Sequence, residues 1–298
     1  MQWPKRRDTQ TDPEAPQGAV LIHALDGFLT AGGAPRLAAE ALTTGEGEVV
    51  HSFDVDELYD YRARRPFVTF RQDHYQDYEE PRLDIVLERD AAGTPYYLLA
   101  GPEPDFRWES FVSELRDVVT DLRIPLTLGL GAVPMGVPHT RPPMITAHGT
   151  RPEIVDRTNL WGAEVKVPSS AQSLLEYRFG QLGLDAAGYV VHVPHYLAQI
   201  DYPPAAIALI DAVVDRLGLE LDLDALRTAT SAAMEQIQEQ ISDQDGENVL
   251  HGLEQQYDAF TRGAAQSLLA EEDAIPSGDE LADQFEQFLA RQRKHDDG

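Results

Sequence analysis

The sequence predicts an α/β protein: a three-layer α/β/α sandwich built on a mostly parallel sheet, followed by a helical extension. Three observations carry this. Over the first two thirds of the chain, apolar strand-like runs alternate with segments of helical spacing, the pattern of a sheet with helices on both faces. Several of those runs are short and continuous rather than alternating, as in strands buried on both faces. From about Asp222 the strand signal stops and only helical periodicity continues. The expected division is a polar, disordered lead-in over 1–17, the sandwich over 18–221 and the helical extension over 222–298.

The elements follow in order. Ala19–Leu25 ("AVLIHAL") is the first strand, and it ends in the glycine turn "DGFLTAGGAP". A helix follows, with Pro35 suited to its first turn, where the missing N–H costs nothing. Glu48–Val55 is the next strand. Arg82–Asp90 and Pro95–Asp105 are strand candidates on either side of "AAGT", which reads as a hairpin turn or tight loop. Trp108–Leu122 places Phe111, Leu115, Val118, Val119 and Leu122 on one helical stripe. Ile124–Val133 is a core strand, and "MITAHGT" a further short one. Ser169 or Ser170 can cap the helix after Glu164–Pro168. Ala187–Gln199 is a buried strand leaving toward a loop, and Pro203-Pro204 opens another helix. Beyond it the chain is helical throughout, and Ser277 and Glu280 form a capping box for the last helix.

Composition narrows the function classes. The 298 residues carry 51 acids against 24 Lys and Arg, a formal charge of −27. Such a surface repels phosphate backbones, so nucleic acid is not an expected partner. "YRARR" at Tyr61–Arg65 is the one basic cluster that stands out. There is no cysteine, which excludes disulfides and thiolate chemistry and fits a cytoplasmic setting. No apolar run is long enough to span a membrane, and the N-terminus lacks a secretory signal's apolar core. No phosphate-binding loop, dinucleotide fingerprint or G-x-S-x-G elbow occurs. His192-x-x-His195 lacks the helix and the companion carboxylate of a zinc motif, so neither metal nor cofactor is expected.

Against this acidic background, the 29 residues from Leu122 to Thr150 contain no Asp or Glu. Burial of the core strand accounts for part of that. It does not account for the loop beyond, "GAVPMGVPHTRPPMITAHGT", with its prolines, glycines, two histidines and an arginine. In open α/β sheets ligands gather past the carboxyl ends of strands, where this loop lies. Gly131, Pro134, Gly136 and Pro138 shape it, and Arg141 can take a carboxylate, a phosphate or an acidic chain. His195 and His192 follow another strand end. The candidate site is thus His139, Thr140, Arg141, His148, His192 and His195, on one rim if the topology brings the strand ends together. Two functions fit. One is an oligomeric interaction protein whose loop packs on acidic surface of a partner or neighbouring chain. The other is an enzyme or binder for a small anionic metabolite, such as a nucleoside or phosphorylated compound. There Arg141 neutralises the anion, and His139, His148 or His192 is the acid or base.

At "VPMGVPHTRP", "AHGT" and "VHVPHYLAQ", with "ALDGFLTAGGAPRLAAEAL" near the start, the chain resembles the proteasome assembly chaperone 2 family, its actinobacterial branch in particular. The resemblance spans roughly residues 17–220. It implies a phosphorylase/hydrolase-like α/β/α fold, a homo-oligomer (a trimer is expected), no catalytic residues and a proteasome-related protein partner. Relatives carry an Asp in the turn after the first strand where this chain has Thr30, so any role of that carboxylate is not carried over.

Overall fold

A computed structural model describes residues 18–157, 164–240 and 244–269, with residues 16 and 159. The expected lead-in over 1–17, except residue 16, and the last capped helix lie outside these. In chain order the elements are β1 (Leu21–Asp26), α1 (Ala34–Leu42), β2 (Glu48–Ser52), α2 (Val55–Leu58), β3 (Thr69–Arg71), β4 (His74–Gln76), β5 (Asp84–Arg89), β6 (Pro95–Pro102), α3 (Trp108–Asp121), β7 (Thr127–Met135), β8 (Ile145–Gly149), α4 (Ala171–Leu182), β9 (Ala186–Pro194), α5 (Pro203–Leu217), α6 (Asp224–Gln240) and α7 (Gln244–Leu269).

The main sheet runs β2-β5-β6-β1-β7-β9-β8. Its centre, β6-β1-β7-β9, is parallel, while β5 and β8 run the other way. The sheet is therefore mixed, with five of its seven strands pointing one way. One antiparallel pair follows from its short connection: Asp90–Thr94 joins β5 to β6, and a turn that short cannot make a parallel crossover.

Each face carries its own apolar core, which makes the third layer. On one face Ile22, Ala24, Leu128, Leu130, Tyr189 and Val191 pack with α1, α5 and α6. On the other, Leu21, Leu25, Leu99 and Ile85 pack with α3 and α4. Neighbours in β1 thus face opposite layers, and a strand buried on both sides needs the continuous apolar run seen in its sequence. The expected stripe on α3 holds: Phe111, Leu115 and Val119 are buried, and Val118 and Leu122 pack at its edge.

Local chemistry fixes the joints. The turn after β1 needs glycine: Gly32 and Gly33 have φ of +64° and +57°, and a Cβ on Gly32 would lie 2.9 Å from Tyr202 Cβ. Ser170 caps α4, accepting from Ser173 N at 3.0 Å, while Ser173 Oγ accepts from Ser170 N. Asp90 accepts from Ala92 and Thr94 in its own turn and from Glu220 N at 2.7 Å, tying the β5–β6 hairpin to the chain beyond α5. At the β8 edge, Asn159 accepts from Ala147 N at 2.9 Å and donates to Ala147 O at 2.7 Å, as a paired strand would.

Three sequence expectations shift. The strand expected over Ile124–Val133 begins at Thr127 and runs on to Met135, so Gly131 and Pro134 lie within it rather than in the loop. The strand expected to leave through Gln199 stops at Pro194 and gives way to a short 3-10 turn, His195–Leu197. The hairpin of β3 and β4 was not expected; its three-residue strands are too short to show a period.

Candidate functional site

The acid-free loop leaves β7 at Met135 and returns as β8, past the carboxyl end of the parallel strands. It does not stand open. Helix α7 lies against it through a stripe of half-buried positions, 250, 253, 254, 257, 258 and 261, which recur at helical spacing. Arg141 donates to Asp258 with both Nε (2.8 Å) and Nη2 (2.9 Å), the bidentate geometry in which guanidinium matches carboxylate best. Its Nη1 reaches Glu254 at 3.2 Å, and the Thr140 hydroxyl donates to the same Glu254 oxygen. Tyr257 donates to Pro142 O at 2.9 Å. The Arg141 bond holds the Asp258 carboxyl below its ordinary range, and the Thr140 bond does the same for Glu254. In return Arg141 is held firmly protonated, chiefly by its bond to Asp258.

His139 lies buried under this layer. Its backbone N–H donates to the Tyr196 hydroxyl at 3.0 Å and its Nδ1 sits 2.8 Å from the same oxygen, while buried Nε2 meets no hydrogen-bond partner among the described residues. Desolvation lowers its pKa, which Glu254 only partly offsets. His195 is exposed and meets the other edge of Tyr196, ring to ring at 5.4 Å. The loop-shaping residues divide. Pro138 is buried. A Cβ on Gly136 would come 3.9 Å from Leu253 of α7, and one on Gly131 would make ordinary contact with Leu29 at 3.4 Å, so neither position demands glycine.

His148 and His192 belong to the other face of the sheet. Their strand neighbours Ala147, Val191 and Val193 point into the α1/α5 core, so alternation turns the two histidines toward α4. His148 Nδ1 lies 2.7 Å from Glu176 Oε2 on α4, and His192 Nε2 lies 2.9 Å from Thr146 Oγ1. Burial lowers the His192 pKa. The six candidates therefore fall into two groups, one around Tyr196 and α7 and one beneath α4.

The α4 side holds residues that sequence reasoning missed. Strand register puts His23, Gly129, Gly188 and His148 in one row across β1, β7, β9 and β8. The two glycines make room for the two rings: a Cβ on Gly129 would lie 2.7 Å from both His23 Cε1 and Gln172 Nε2, and one on Gly188 2.4 Å from His148 Cε1. Among the described residues, His23 Nδ1, Gln172 Nε2 and Thr127 Oγ1 are buried and meet no hydrogen-bond partner. Desolvation lowers the His23 pKa to about 4; contact with Gln172 opposes this, and nearby His148 adds to it. The one signal for His23 was a lone histidine inside an apolar run. Gly129→Ala is expected to destabilise the fold by roughly 1–3 kcal/mol, because the added carbon meets two buried side chains with no room to move. Gly188→Ala should cost less, since the half-exposed His148 ring can swing outward. Urea unfolding of both variants checks the order.

The Glu176 carboxylate fixes the orientation of the His148 ring. The N-terminus of α4, which favours anions, already holds the chain's own Glu103, whose carboxylate accepts from Ala171 N. Thr30 closes the turn after β1 by donating to Gly27 O at 2.9 Å, a structural bond that leaves no carboxylate there. Among the described residues no three His, Asp or Glu side chains converge as a metal cage requires.

A family model described as "PAC2 family" matches residues 24–241. The chain belongs to the PAC2 family. Three solved structures give the comparison its scale. Rv2714, a Mycobacterium tuberculosis protein of unknown function, is 45% identical over 87% of this chain and 91% of its own, with a TM-score of 0.77. A Corynebacterium glutamicum protein of unknown function is 35% identical over 83% and 93%, also at 0.77. Rv2125 of M. tuberculosis, described as a proteasome-assembly chaperone homologue, is 26% identical over 78% and 99%, at 0.70. No curated protein sequence matches significantly. The α/β/α fold implied by the family resemblance is thus the fold of this PAC2 chain, and the family match extends into α6 but ends before α7.

Proposed function

We propose that this PAC2 protein is a non-enzymatic, oligomeric interaction protein, a trimer, that acts as a chaperone toward a proteasome-related partner in the cytoplasm. The observation that carries the reading is the state of Arg141. Its charge is met twice by carboxylates of the chain's own α7, so the most conspicuous cation of the loop is committed to an internal contact rather than held ready for a small anion. The relationship to Rv2125, described as a proteasome-assembly chaperone homologue, supplies the partner class. Among the described residues no helix is long and apolar enough to cross a membrane.

The competing reading, an anion-binding enzyme, draws on Arg141 and on His139, His148 or His192 as acid or base. Two of these lie toward α7 and two toward α4, and a ligand at Arg141 would first have to displace Glu254 and Asp258. Affinity capture with the full chain as bait, from an actinobacterial lysate that contains a proteasome, tests the proposal. Core-particle subunits or their precursors should be retained stoichiometrically. Recovery of the bait alone, together with melting-temperature shifts on adding nucleosides or sugar phosphates, would replace this reading with the competing one.

A further inference from the structure

Helix α7 meets the body through a single loop. Among the described residues, its hydrogen bonds and ion pairs with the body all go to three consecutive positions: Arg141 to Asp258 and Glu254, Thr140 to Glu254, and Tyr257 to Pro142 O. Glu254 and Asp258 stand one turn apart with Tyr257 beside them, so one helical face makes the whole contact. The paired groups keep access to solvent: the Arg141 side chain is 31% exposed and Asp258 42%. No residue from 247 to 263 is fully buried. A contact this polar and this accessible resembles an interface between separate molecules more than a core.

Both halves of the contact are carried by one chain, and the loop half belongs to the fold itself. The loop lies inside the matched residues 24–241, whereas α7 follows them. Two features suit the loop to a second copy. Copies with a formal charge of −27 repel one another over most of their surface. The 29 residues from Leu122 to Thr150, free of Asp and Glu, are where an acidic helix approaches without meeting carboxylates. The helix also has an apolar flank that its own chain leaves open. Val249 and Phe260, about three turns apart on one side of α7, are 60% and 41% exposed.

We infer that α7 docks on the loop of a second copy, so that in the oligomer Glu254 and Asp258 of one chain hold Arg141 of the next. The inference rests on the oligomeric reading above and names its contact. The closed and swapped forms share the same hydrogen bonds, which makes the swap a low-cost route to association. The swapped form adds a neighbour beside Val249 and Phe260, and covering that apolar flank favours it. Passed head to tail, such a contact closes as a ring, in keeping with a trimer.

Charge reversal on the two sides of the contact, in the full chain, tests this. One variant carries Arg141→Glu and the other Glu254→Arg with Asp258→Arg. Each sets like charges face to face, both within a copy and between identical copies. These side chains stand outside both apolar cores, so thermal unfolding of the sandwich should stay unchanged and serves as the fold control. In sedimentation velocity at about 0.1 M salt the parent should run as a multiple of the 33.1 kDa chain. Each variant alone should associate on the order of a hundredfold more weakly, as loss of a contact centre does. An equimolar mixture brings opposite charges together only between chains. It should form species heavier than either variant alone, and hydrogen exchange across 244–269 should slow by about tenfold or more. If the parent is a multimer and both variants keep its mass, the inference is overturned and the oligomeric reading stands. A mixture that gains neither mass nor protection also overturns it, since the helix then closes only within its own chain. A parent that is monomeric at all concentrations overturns both. Variants that keep the parent's mass, with a core-particle subunit captured by the helix variant and not by the parent, would give the loop to that partner, again overturning the inference.

Discussion

Replacing Arg141 by Glu is expected to lift α7 off the body. The helix has no fully buried residue between 247 and 263. Its hold on the loop rests on Arg141, Thr140 and Pro142, together with the packing of Leu253 near Gly136. Charge reversal would place a third carboxylate against Asp258 and Glu254 and leave Thr140 alone facing Glu254. Hydrogen exchange should then quicken by at least about tenfold across 244–269, since local opening follows loss of the few contacts that oppose it. The melting temperature of the sandwich should change little, because both apolar cores lie elsewhere. Buried His139 should gain solvent, and its titration should move back toward an ordinary histidine value as its desolvation is relieved. Unchanged exchange over 244–269 would mean that the helix is held by something other than this loop.

The second large effect is on stability against pH, through His23. The ring is buried and its pKa is lowered from 6.5 to about 4. It is therefore neutral in the folded protein over a range where the unfolded chain already binds a proton. The unfolded state holds more protons between those two values, so stability is complete above about pH 6.5 and is lost as pH falls toward 4. The full loss from this ring is about 3 kcal/mol. His139 and His192 act with the same sign, since burial lowers both. Urea unfolding at intervals from pH 7.5 down to 4.5 should show the decline, and His23→Gln, which cannot titrate, should flatten it. An equally steep decline in that variant would assign the acid sensitivity to other groups.

The order of the elements was legible because the residues that build them speak locally. Continuous apolar runs mark central strands such as β1 and β9, proline marks the starts of α1 and α5, and serine caps α4. The directions of the edge strands were less legible, since hydrophobic pattern carries face and burial but not polarity. The site was half legible. The absence of acids across 122–150 did locate the loop that α7 covers, and Arg141 and Thr140 are both engaged there. The residues that meet them were hidden: Glu254, Tyr257 and Asp258 are ordinary members of an acidic helix in a chain with 51 acids. The division of the histidines was hidden as well. Which face His148 takes depends on a strand register that no local signal sets, and the row it shares with His23 spans four strands brought together from distant parts of the sequence.

The side-chain amide of Asn159 has a consequence for how these molecules can add to one another. It occupies the outward hydrogen-bonding groups of Ala147, midway along the five-residue border strand β8. A ribbon that lengthens indefinitely by joining margin to margin needs two vacant margins on every unit. In the seven-stranded sheet one margin is stoppered from within, which leaves the far margin at β2. Margin-to-margin growth of this sheet would then terminate after a single addition.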